Sequence, residues 1–157
     1  EDEEAIEVLK AAVVGMERLG RPRRAVNSRY NLVFALAGRG RFAEAREVCA
    51  AIIAVYREAD DVLQLHRSLE LEATMAGLDG DPDAEARFAS VAGLPVTHVD
   101  PDRAVRQGLY ALVFELARGT PLEVLEARAA AVADGRPTSI ASARLVMGWI
   151  RLAAAGR

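Results

Sequence analysis

The sequence predicts an all-α protein made of stacked helical hairpins. Three observations point there. More than half of the 157 residues are apolar, yet aromatics make up only 5% and alanine is the commonest residue. Small side chains let helices approach closely, and alanine has the best helix propensity. Glycine and proline cut the chain into helix-length pieces, none with sustained two-residue alternation. The chain also matches itself at two offsets, one double the other.

The pieces follow in order. Gly20 and Pro22 close a first helix over about 3–19. A second covers about 23–38 and stops at Gly38-Arg39-Gly40; a third runs from Phe42 to about Glu58. Asp60 or Asp61 is placed to cap a fourth over about 61–77, ended by Gly80. Asp81-Pro82-Asp83 opens a fifth over about 82–92, with Asp as N-cap and Pro in the first turn. Asp100-Pro101-Asp102 repeats that signal for a sixth, to about Arg118. Thr120-Pro121-Leu122-Glu123 reads as a capping box for a seventh, to about Asp134. Thr138 or Ser139 caps the eighth, which reaches about Ala155. The short loops make sequential helices antiparallel neighbours.

The repeat fixes the unit. At the longer offset, Tyr30, Leu32, Val33, Phe34, Leu36 and Ala37 recur as Tyr110, Leu112, Val113, Phe114, Leu116 and Ala117. At the shorter offset, Glu4, Ala5, Glu7, Val8 and Ala11 match Glu44, Ala45, Glu47, Val48 and Ala51. The unit is therefore a hairpin of about 40 residues, which cannot bury its apolar stripe alone, whereas stacked hairpins share one core. The segment 61–92 fits this scheme poorly, because its apolar phase matches only after its register is shifted by a single position.

The stretch from Asn31 to Ala45 resembles a tetratricopeptide repeat. Leu32 and Ala35 match the family's first helix, Gly40 and Phe42 its turn, and Glu44-Ala45 the opening of its second helix. The usual unit is about 34 residues; the longer unit is similar to those in bacterial tetratricopeptide-containing regulators. The family's Trp, first-helix Gly and closing Pro are missing from this best unit. The resemblance implies a right-handed α–α superhelix in one domain over 1–157, as a fragment of a longer array. It also implies a protein- or peptide-binding scaffold, or, as the alternative, a small-ligand-sensing domain of a regulator.

Other classes find little support. The net charge of −3 carries no basic footprint for nucleic acid. One cysteine rules out an internal disulfide and fits a reducing, cytoplasmic setting. No apolar run is long enough for a membrane span. His66 and His98 lie on separate elements, outside any metal-ligand motif, and read as surface or loop histidines; Cys49 falls on an inward stripe. Asp79 to Asp83 is acidic, but Ala84 and Ser90 stand where a calcium loop needs Gly and Glu. No cofactor, metal or catalytic group is expected.

In a tetratricopeptide stack the first helix of each pair lines the concave groove. The candidate binding residues are therefore Asn27, Tyr30, Asn31 and Phe34, with Gln107, Tyr110 and Phe114 recurring on the later helix. Tyr and Phe one helical turn apart share a helix face and suit an extended peptide or a partner helix. The competing expectation is that these aromatics pack against the neighbouring unit. A closed polar pocket near Asn27, Tyr30, Gln107 and Tyr110 favours a small molecule; an open channel favours a peptide. Met147 and Trp149 are expected to be exposed if the array is cut there, and the terminal helices are the candidate surfaces for homo-oligomers.

Overall fold

The structure is a computed structural model, and it describes residues 2–94, 100–133 and 135–156. Among these residues it is all-helical: α1 (Asp2–Arg18), α2 (Pro22–Ala37), α3 (Phe42–Glu58), α4 (Val62–Leu78), α5 (Ala84–Ala92), α6 (Arg103–Ala117), α7 (Leu122–Val132) and α8 (Pro137–Ala155). None of these helices is long and apolar enough to cross a membrane. Most boundaries fall close to those read from the sequence.

Four helix starts differ from expectation, each for a local reason. Asp100 does not cap α6, because its carboxylate is taken by Arg67 and Arg106, and the helix begins at Arg103 behind Asp102. Asp81 does not cap α5. One carboxylate oxygen accepts from the backbone N–H of Asp83 at 2.9 Å, and the other takes Arg46 and Arg87. That closes a turn around Pro82, and the helix begins at Ala84. At α7 no side chain caps the terminus and Pro121 stands at the N-cap, so the capping box does not form. At α8 Pro137 takes the first helical position, because its fixed φ suits that site, and Thr138 and Ser139 lie inside the helix.

Five of the helix ends share one form. Left-handed residues stand at Gly20, Gly40, Asp60 and Gly80, evenly spaced along the chain, and again at Gly119. Each closes the same motif. The left-handed residue donates its N–H to the carbonyl three positions back, and its successor donates to the one five back, as in Gly40 to Ala37 and Arg41 to Leu36. Asp60, with φ of 54°, makes the same bonds without the conformational freedom of glycine.

Packing sorts the helices into two sets. Consecutive helices from α1 to α5 pack pairwise, as do α6 with α7 and α7 with α8. The contacts that skip a helix run between even-numbered members: α4 with α6, α6 with α8, and α4 with α8. The even helices therefore form an inner layer, and the odd helices lie outside it. One apolar cluster runs through the whole, from Ile6 on α1 to Ala153 on α8. At about 25 cal/mol per Å² of buried apolar surface, this continuous seam is the main stabilising term.

Two charge networks tie the helices together, the first between the layers and the second within the inner one. Arg46 of α3 and Arg87 of α5 hold Glu72 and Asp81. Deeper in, Glu70 of α4 accepts from Arg106 Nε at 2.8 Å and from Gln107 Nε2 at 2.6 Å. Arg106 and Arg67 both donate to Asp100. Glu70 is 1% exposed. A buried carboxylate is tolerated only when paired and hydrogen-bonded, and here each charge has its opposite. This network explains why the 61–92 segment resisted alignment: α4 carries polar groups where the other inner helices carry apolar ones.

Candidate functional site

The inner layer closes on itself. Tyr30 of α2 shares a hydrogen bond of 2.7 Å with Ser68 Oγ of α4, and Ser68 also donates to the Gln64 carbonyl. One turn on, Phe34 stacks on Tyr30 with ring centroids 6.5 Å apart. Its other neighbour is Trp149 of α8, at 5.9 Å and an interplanar angle of 18°. The second and the last helix thus meet through an aromatic pair across the inner face.

Beside this pair lies a cavity of about 180 Å³ between α2, α6 and α8. Phe34, Leu109, Tyr110 and Trp149 supply apolar wall, and Asp102, Arg106, Thr138, Ser139 and Ser142 supply polar groups. Ser139 and Trp149 are buried, at 3% and 1% exposure. The Trp149 Nε1 has no protein acceptor within hydrogen-bond distance. An unanswered buried donor costs roughly 1–3 kcal/mol, and the nitrogen itself has almost no accessible surface.

The electrostatics are settled by internal pairing. The Arg67 guanidinium, and then Arg106, hold the Asp100 carboxyl well below the ordinary carboxylate range against the opposing effect of burial. Burial works against the Arg106 charge, yet its bonds to Asp100 and Glu70 leave its pKa raised. Burial pushes the Tyr30 hydroxyl up to about 12, with the Ser68 bond pulling the other way. Burial also raises Tyr110. The Cys49 thiol, buried and near Glu72, is pushed up to about 12, which leaves it a neutral core group at ordinary pH.

The structure separates the seven candidate binding residues. Phe34 and Tyr110 line the cavity, and Tyr30 braces Phe34 from behind. Asn27 and Asn31 are exposed on α2. Gln107 is spent on Glu70. Phe114 leaves the group: it is 4% exposed and packs on Phe88 of α5 at 5.2 Å. It also touches Gly77 of α4, where an added Cβ would sit 2.7 Å from the Phe114 ring. Phe114 therefore fills the seam between α4, α5 and α6.

Met147 and Trp149 are buried rather than exposed, because α8 turns them onto its neighbours. His66 lies within α4, half-buried, and its Nδ1 has no partner; His98 falls outside the described residues. Arg106, Ser139 and Glu70 are the residues that sequence reasoning missed. The usable signal was a lone Trp in an aromatic-poor chain.

Comparison with known protein families, with curated proteins and with solved structures finds no match to this chain.

Proposed function

We propose that this chain is a non-catalytic binding module, a short right-handed superhelix of tetratricopeptide-like hairpins, and that its inner face takes a small molecule. One observation carries the choice of ligand. The Phe34–Trp149 stack crosses the inner face, so the groove between the even helices is a cleft rather than an open channel. A cavity of about 180 Å³ is close to the roughly 150 Å³ void that holds benzene. The ligand is therefore a flat single-ring molecule with polar substituents. Its ring lies among Phe34, Leu109, Tyr110 and Trp149, and its polar groups face Ser139, Ser142 and Arg106. Apolar walls with a few convergent polar groups are the usual make-up of such sites. The two-layer packing and the recurring helix ends support the superhelical reading.

A protein or peptide partner is the second reading, favoured by the exposed amides of Asn27 and Asn31. Trp149 is the only tryptophan, so its emission reports on the cleft directly. Titration with benzoate, benzamide and phenylacetate should give saturable change with at least one of them. Ser142→Phe, which fills the mouth from an exposed position, should abolish it without loss of helical signal. Absence of saturation with all three, or binding that survives Ser142→Phe, would reject the cleft.

A further inference from the structure

Resting on the reading of the inner face as a ligand cleft, we propose that the ligand is a neutral ring carboxamide. The cleft selects it over the carboxylate and the amine of the same ring.

Charge sets the first limit. Arg106 is the cation of the cavity wall, and it is already answered twice. Its Nε lies 2.8 Å from Glu70 and its Nη2 lies 2.9 Å from Asp100. Arg67 shares Asp100 at 2.6 Å. Two guanidinium groups therefore face two carboxylates, and both carboxylate side chains are buried. An entering carboxylate meets no surplus positive charge. It also meets Asp102 on the wall, which is answered only by an exposed pair with Arg136, and such pairs hold little. An entering ammonium meets the Arg106 guanidinium instead. Beside the Phe34 and Trp149 rings either charge loses hydration that the site does not replace. A neutral ligand escapes both penalties.

Hydrogen-bond direction sets the second limit. Arg106 Nη1 bonds to none of the described residues, and it is not sealed from solvent as Arg29 Nη1 is. It can only donate. Ser142 lines the same cavity, and its hydroxyl donates to the Thr138 carbonyl at 3.0 Å. Its oxygen is left to accept. Asp102 adds another acceptor: Arg136 takes Oδ1, and Oδ2 has no partner among the described residues. The cavity thus presents one donor group and two acceptors. A primary carboxamide has an oxygen that accepts and a nitrogen that donates twice. Its oxygen answers Arg106, and its N–H groups answer Ser142 and Asp102. A carboxylate has no proton for those two oxygens, and an ammonium has no lone pair for the guanidinium.

Trp149 borders the cavity, so its emission reads the test. The whole chain is titrated at neutral pH with benzamide, with benzoate as the anion and with benzylamine as the cation. Benzamide should bind about tenfold or more tighter than either. Asp102→Asn removes the carboxylate at an exposed N-cap, where asparagine is equally suited, so the fold should hold. It should cut the preference for benzamide over benzoate about threefold or more. Ser142→Ala, also at an exposed position, should weaken benzamide about threefold or more. It should leave benzoate no weaker and the helical signal intact. Benzoate or benzylamine binding as tightly as benzamide overturns the carboxamide and leaves the cleft standing. So does a selectivity that neither substitution changes. Saturation with none of the three removes the cleft, and the carboxamide with it.

Discussion

The helices α2 and α6 carry one signature, Tyr-x-Leu-Val-Phe-x-Leu-Ala, and the structure spends it in two ways. On α2 the Tyr hydroxyl reaches Ser68 and the Phe ring, half-buried, reaches across to Trp149. On α6 both rings are buried, and the Phe wedges against Phe88 and Gly77. The amides one turn before the Tyr differ as well. Asn27 is exposed, while Gln107 answers the buried Glu70. The cause is position in the stack: α6 has inner helices on both sides, α4 and α8, whereas α2 packs chiefly on α1 and α3. The same Phe becomes core where neighbours surround it and cleft wall where they do not.

Substitution at the paired positions should expose that difference. Phe114→Ala should cost about 3–5 kcal/mol, the range for a buried Phe, read as a lower urea midpoint. Phe34→Ala should cost about half as much, because part of its ring is solvated, and it should also change Trp149 emission. Equal losses would mean that the two sites are both core.

A smaller contrast is expected at the amides. Gln107→Ala removes a donor from buried Glu70, so a loss of about 1–3 kcal/mol should follow. Asn27→Ala should stay within about 0.5 kcal/mol, as exposed sites do. Similar values at the two would break the claim that α6 is the interior copy.

The smallest effect concerns pH. The folded pKa of Tyr30 is raised from 10.0 to about 12 and that of Cys49 from 9.0 to about 12. Raised values mean the fold favours the neutral forms, so their stabilising contribution is complete below about pH 9 and is lost as pH climbs towards about 12. The urea midpoint should fall across that window. Tyr30→Phe should flatten the upper part of the slope, while a profile unchanged by it would remove Tyr30 from the account.

The helices were legible because their signals are local. Glycines and prolines at fixed intervals end and start helices whatever surrounds them, and the repeat of the hairpin follows from those marks. Among the described residues the one left-handed turn without glycine, at Asp60, was hidden because its residue type does not announce its backbone. The helix starts at Asp81 and Thr120 misled for the opposite reason: a capping residue in the sequence was recruited by an arginine in one case and bypassed in the other.

By itself, then, the sequence determined an all-helical chain, eight helices among the described residues, and the residue types on each face. Tertiary structure alone decided which faces are inner wall, that Glu70 is buried and paired, that Phe114 is core, and that Trp149 closes the cleft with Phe34. Helix formation depends on neighbours within one turn, so it is written locally. Burial depends on which helices arrive from distant parts of the chain, and equal side chains meet unequal company.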